Sequence, residues 1–153
     1  MPKDMIIRAA IRSDLGAILR LLRDLNASAS ASGATVRMSS AAVRAWTRIE
    51  NDPDRAVLVA ESRGQIIGTL DLLVVANLTH DAQSWALIDN VVVDAATRRR
   101  GVGRALMDDA VERAARAGCY KVEFLPHEYD DGASAFCRSV GFHDSAEGFH
   151  RYL

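Results

Sequence analysis

The chain has 153 residues, a formal net charge of -1 and 49% hydrophobic residues, which suits one soluble globular unit with a core large enough to fold alone. That balance lacks the basic excess that nucleic acid or an anionic membrane surface calls for in a main partner, and no apolar run approaches the roughly 20 residues that span a bilayer. The two cysteines, Cys119 and Cys137, have no metal-ligand spacing and are too few for a secreted disulfide framework. With no charged-then-apolar leader in view, the expectation is a cytoplasmic protein with reduced thiols and no metal.

The N-terminal "MIIRAAIRSDLGAILRLLRDL" predicts a short strand near Met5 to Ala9 and then a helix capped by Ser13 or Asp14. Leu15, Ile18, Leu19, Leu22 and Leu25 fall at helical spacing. "NASASASGAT" (26–35) reads as a flexible connection. "MSSAAVRAWTRIENDP" predicts a second helix with Ser39 or Ser40 as N-cap and Pro53 past its end.

From Asp54 the period changes. "RAVLVAES" and "QIIGTLDLLVVANL" are aliphatic, β-branched runs joined by "RGQ", the pattern of a hairpin. "SWALIDNVVVD" predicts another strand, whose unbroken Val91-Val92-Val93 implies burial on both faces. The longest helix follows, over about 101–117. Its apolar face is Val102, Leu106, Ala110 and Ala114, its polar stripe Arg104, Asp108, Glu112 and Arg116, and Gly118 is its stop. "CYKVEFL" predicts a strand, "GASAFCRSV" a helix ended by Gly141, and "GFHRYL" a closing strand. The order β-α-α-β-β-β-α-β-α-β implies an α/β fold of the α+β kind, with a mixed sheet and helices on it.

"TRRRGVGRALM" (97–107) stands between the valine-rich strand and this long helix. The first N–H groups of a helix have no intrahelical partner, and the dipole there favours an anion. Gly101 and Gly103 keep side chains away from those amides, and the preceding arginines offer charge-assisted bonds to phosphate oxygens. The arrangement fits a diphosphate. It is neither of two familiar phosphate loops: no Gly-Lys-Ser or Gly-Lys-Thr occurs, and Leu106 stands where the third glycine of G-x-G-x-x-G would be.

"IDNVVVDAATRRRGVGRALM" resembles the acyl-CoA signature of the GNAT superfamily of N-acyltransferases, [RQ]-x-x-G-x-[GA] after a buried strand, carried here by Arg98, Gly101 and Gly103. The N-terminal "IIRAAIRSDLGAILRLL" is similar to that family's opening strand and helix, and "DGASAFCRSVGF" to its C-terminal A-x-x-F-Y-x-x-x-G-F element. The resemblance covers essentially the whole chain. It implies a single GNAT-type domain over 1–153, with a mainly antiparallel N-terminal half, splayed central strands and helices on both faces.

Function follows from the same resemblance. It implies an acetyl-CoA-dependent N-acetyltransferase acting on a primary amine by direct attack in a ternary complex. Pantetheine would add along the main chain of Val91, Val92 and Val93. The diphosphate would sit on the segment Arg99, Arg100, Gly101, Val102, Gly103 and Arg104, with Arg98 nearby. Asp130 and Phe136 belong to the C-terminal element and would also meet the cofactor. Asp89, at period-2 spacing from Val91 and Val93, is the first candidate for general base, and Glu123 the second. The family usually has tyrosine where this chain has Cys137, the candidate proton donor to the departing thiolate; Tyr129, water or no group at all are the alternatives. His127, Glu128 and Tyr129 could line the acceptor side. Trp46 and Trp85 are expected in the core or at a dimer contact. The partner expected is a small-molecule or peptide amine, with no nucleic acid and no membrane; a homodimer is implied by resemblance alone. The rival reading is a non-catalytic acyl-CoA sensor or scaffold of the same fold, for which Cys137 is the best support.

Overall fold

The computed structural model describes residues 4–25, 38–124 and 131–143, with Pro2, Pro126 and Arg151. The expected connection over 26–35 and, apart from Arg151, the expected closing strand over 148–153 lie outside the described residues. The elements are β1 (Met5–Ala9), α1 (Leu15–Leu25), α2 (Ser40–Glu50), β2 (Arg55–Ser62), β3 (Gln65–Val75), β4 (Trp85–Val93), α3 (Val102–Arg116), β5 (Val122–Phe124) and α4 (Asp131–Ser139). The strands form one sheet in the order β1-β2-β3-β4-β5. The first three pairings are antiparallel and β4–β5 is parallel. This is the mixed α/β architecture expected.

Local chemistry explains the boundaries. Asp14 ends the short 3-10 turn before α1 and accepts the Ile11 N–H at 2.8 Å. Of the two caps weighed for α2, Ser39 is the one used: its hydroxyl accepts the Ala42 N–H at 3.1 Å. In the β2–β3 hairpin, Arg63 and Gly64 have φ of 52° and 74°, and left-handed residues in a two-residue loop match the twist of the flanking strands. Both predicted glycine stops are present. Gly118 (φ 77°) and Gly141 (φ 90°) let the next N–H, of Cys119 and Phe142, turn back onto the Ala114 and Cys137 carbonyls, 3.0 Å each.

The sheet separates two cores. On one face α3 buries Val102, Leu106, Met107, Ala110 and Ala114 against Leu58, Leu70, Leu72, Ala86 and Ile88, and Phe136 of α4 and Val140 just after it pack on the same cluster. On the other face α1 and α2 bury Leu15, Ile18, Leu21 and Trp46 against Val57, Val59, Ile66 and Val92. Val92 faces this second core while Val91 and Val93 pack on the first, so the valine run is held from both sides.

The α1 face departs from the expected one. Leu21, absent from the predicted stripe, is its deepest residue at 1% exposed; Leu19 and Leu22 are only half-buried, and the Leu25 side chain lies outside the described set. A helix with this many leucines offers several stripes, and only the sheet beneath it selects one. β5 is also shorter than "CYKVEFL" suggested, because Cys119 to Lys121 form the connection out of α3.

Candidate active site at the β4 bulge and the start of α3

Strand β4 carries the site, and it is irregular. Asp71 pairs with Asp89 and Thr69 with Val92, so β3 advances two residues while β4 advances three. The extra residue is a β-bulge, with Asn90 in the left-handed region at φ 52°. The expected period-2 relation between Asp89 and Val91 is therefore broken. Before the bulge, Ala86 and Ile88 face the α3 core; after it, Val91 and Val93 do. Asp89, paired with Asp71 and next to Ile88, is on the face away from α3; it is exposed, and its Oδ1 accepts the Asn90 N–H at 2.8 Å.

The bulge is tied across the sheet. Asn90 Nδ2 donates to Asp71 Oδ2 at 3.1 Å, and Arg55 on β2 donates to the same oxygen at 2.6 Å. Asp71 is only 7% exposed. A buried carboxylate requires such partners, because desolvating its charge alone is costly. Arg55, Asp71 and Asn90 were not singled out from the sequence. The signal was present in "GTLDLLVV", where one aspartate interrupts an aliphatic strand.

At the bulge, the described ladder between β4 and β5 ends. Among the described residues the parallel ladder to β5 consists of Ala86↔Val122, Leu87↔Glu123 and Ile88↔Phe124. Among the described residues no strand lies against the β5-facing edge of β4 from Asp89 to Val93, the kind of gap an extended ligand can fill by main-chain bonding.

The strand then runs into α3 through Asp94, which caps a short 3-10 turn by accepting the Ala96 N–H at 2.9 Å. Arg99 (φ 61°) and Gly101 (φ 82°) are both left-handed. No side chain caps α3 at Gly101, and the first helical bond runs from the Ala105 N–H to the Gly101 carbonyl. The amides of Val102, Gly103 and Arg104 therefore stand without intrahelical partners at the positive end of the dipole. Arg98 folds back so that its Nε donates to the Val93 carbonyl at 3.2 Å. Arg99 and Arg100 are exposed and join no ion pair among the described residues. Arg104 donates instead to the Ser139 carbonyl at 2.7 Å, fastening α4 to α3.

Gly103 has a reason beyond access to amides. A Cβ there would stand 3.3 Å from Phe136 and 3.7 Å from Val93, so its bare Cα is what lets α4 lie across the start of α3. Phe136 is thereby committed, at its ring edge, to packing. Cys137 follows it on α4 and is half-buried. Glu123 pairs with Lys121 on the surface, and that lysine holds its proton more tightly for the same contact. Trp46 is buried, donating from Nε1 to Glu50 at 2.7 Å; Trp85 is half-buried, with the Lys121 ammonium 5.3 Å from its ring centre. Asp130, His127, Glu128 and Tyr129 lie outside the described residues. No group of three or more His, Cys, Asp or Glu able to hold a metal occurs among the described residues.

The fold and this loop can be set beside known proteins. The acetyltransferase (GNAT) family pattern matches residues 19–142. The chain belongs to that family. It is accordingly an acyltransferase, and acetyltransferases of this kind use acetyl-CoA. It is 31% identical over 119 residues to a glucosamine 6-phosphate N-acetyltransferase of Trypanosoma brucei brucei, covering 78% of each chain. A putative acetyltransferase from Agrobacterium tumefaciens superposes with a TM-score of 0.87 at 34% identity, over 97% of this chain and 99% of that one. The glucosamine-6-phosphate N-acetyltransferase of Arabidopsis thaliana shares the fold, with a TM-score of 0.82 at 20% identity over 99% of both chains.

Proposed function

We propose that the chain transfers an acetyl group from acetyl-CoA to a primary amine, by direct attack with both substrates bound. The observation that carries this reading is the uncapped start of α3. Among the described residues, free amides, two left-handed residues and arginines in no ion pair converge there, at the end of a strand with no partner along its β5-facing edge. The amides of Arg99 to Arg104 and the exposed Arg98 to Arg100 bind the diphosphate, and the main chain of Val91 to Val93 binds pantetheine. Asp130 stays assigned to the cofactor by resemblance, as does the part of Phe136 turned away from Gly103.

Acetyl-CoA, when bound, supplies an acyl thioester. The acceptor ammonium gives one proton to Asp89, directly or through water, a contribution of about 10²–10⁴-fold. The nitrogen lone pair then forms the C–N bond as the C–S pair leaves on sulfur. The remaining surplus proton passes from nitrogen to solvent, and the Cys137 thiol protonates the thiolate before recovering its own proton from water.

Gly101→Ala tests the cofactor placement. The new side chain crowds the diphosphate, so calorimetric affinity for CoA should fall by about tenfold. Affinity for an S-acetylated pantetheine, which has no diphosphate, should hold. Equal loss for both ligands, or loss for neither, sinks the assignment. The second reading, an acyl-CoA sensor without turnover, draws on Cys137 in the place of the family's tyrosine.

A further inference from the structure

A cleft of about 190 Å³ opens between α1, α2 and the middle of the sheet. Its walls are apolar, built from Leu15, Ile18, Leu19, Leu22, Trp46 and Ile49, and the bulge closes one end with Arg55, Asp71 and Asn90. We propose that this cleft holds the acceptor, and that the acceptor is a primary amine on a small aromatic or aliphatic body, not a sugar phosphate. This rests on the acetyltransferase reading above.

Three observations support that class. First, volume: an apolar cavity of roughly 150 Å³ accepts one benzene ring, so this cleft suits a single ring or a short alkyl chain. Second, away from the polar end formed by Arg55, Asp71 and Asn90, the walls offer a sugar little to bond. The Thr69 hydroxyl already donates to the Leu58 carbonyl at 2.8 Å, and the Trp46 N–H is taken by Glu50. A carbohydrate placed there would leave the hydroxyls along those apolar walls unpaired, at a cost for each.

Third, charge. Asp71 and Asp89 stand directly opposite each other on β3 and β4, and opposed like charges destabilise a strand pair. Arg55 offsets one of the two carboxylates. Both bonds to Asp71 end on Oδ2, so Oδ1 remains for another donor. An ammonium at that end balances the second charge, whereas a phosphate dianion would add to the excess. Asp71 is thus an acceptor-binding residue, and Asn90 fixes it to the bulge where Asp89 waits to take the proton.

The experiment uses the full chain saturated with CoA, which binds without reacting, titrated with 2-phenylethylamine, 2-phenylethanol and glucosamine 6-phosphate. Matching turnover assays with acetyl-CoA follow thiol release. The arylalkylamine should bind and turn over with a KM at least about tenfold below that for the sugar phosphate. Asp71→Asn should weaken the amine by about tenfold while leaving the isosteric alcohol within about twofold, a split that a merely structural role would not give. A preference for the sugar phosphate, or an equal change for amine and alcohol, overturns the proposal. Should Asp71→Asn fail to fold, Ala42→Phe fills the cleft from α2; it must abolish amine binding and spare CoA, and unchanged amine binding is equally fatal. The two readings fail apart. Amine binding without turnover removes acyl transfer and keeps the cleft, while absent CoA binding removes the cofactor site.

Discussion

Arg8 sits between two acids. It reaches Asp14 through both terminal nitrogens, at 2.6 and 3.0 Å, and Glu61 through Nε at 2.8 Å. The Arg8 hydrogen bond is the main reason the Asp14 carboxyl lies below the ordinary carboxylate range, with the Ile11 N–H adding to it against the opposing effect of burial; Arg8 is raised in turn. Because the folded-state value is depressed, this contribution is complete above the unfolded carboxylate value of about 3.9 and is lost as pH falls through the folded one. Asp14→Asn should therefore cost roughly 1–3 kcal/mol in urea unfolding at pH 7, with the gap to wild type narrowing below about pH 4. A gap independent of pH would show that the charge contributes nothing. Cys137 poses the other single-residue question. If its thiol is the proton donor, Cys137→Ala should lower kcat with little change in KM, and Cys137→Tyr should retain turnover. A Cys137→Tyr variant that gains activity from an inert wild type would identify a latent enzyme, and inertness of both with every amine favours the sensor.

Among the elements, α3 is set by what it crosses. Its Val102 and Leu106 lie so near β3 that a Cβ on Gly68 would stand 3.1 Å from each, and 3.3 Å from the Val92 carbonyl. Glycine there is a packing requirement. Gly68→Ala should destabilise by about 1–3 kcal/mol through overpacking, read as a lower denaturant midpoint with unchanged slope. It should also weaken CoA binding, since the shift displaces the helix start that carries the free amides. A fully stable Gly68→Ala would mean that α3 can lift without consequence. Gly103 makes the same kind of contact with Phe136; the two glycines fix the height of α3 above the sheet and of α4 above α3.

For the molecule as a whole, the two faces of the sheet divide the labour. In the function proposed above, α3 and the β5-facing edge of β4 serve the acetyl donor, while α1 and α2 frame the cleft on the opposite face, and the bulge joins them. A ligand that binds only the folded chain stabilises it by mass action. Acetyl-CoA at about 100 times its dissociation constant should add roughly 2.7 kcal/mol, a rise of about 8 °C in melting temperature for a chain of this length. No rise at saturation would remove the donor site.

What could be read in advance was what local chemistry controls. The Ser39 cap, the Arg63-Gly64 hairpin, the glycine stops at 118 and 141 and the apolar face of α3 each depend on residues within a few positions of one another, so their spacing carries the information. "RRRGVG" belongs to the same class, because a helix start is local. The bulge at Asn90 does not, since it exists only where β4 must match β3 across the sheet. Asp71 is a stray charge until Arg55, sixteen positions earlier, and Asn90, nineteen later, are folded against it. Which leucines of α1 face inward, why Gly68 and Gly103 must lack a Cβ, and where the cleft opens were likewise decided by contacts between distant segments, which no local pattern encodes.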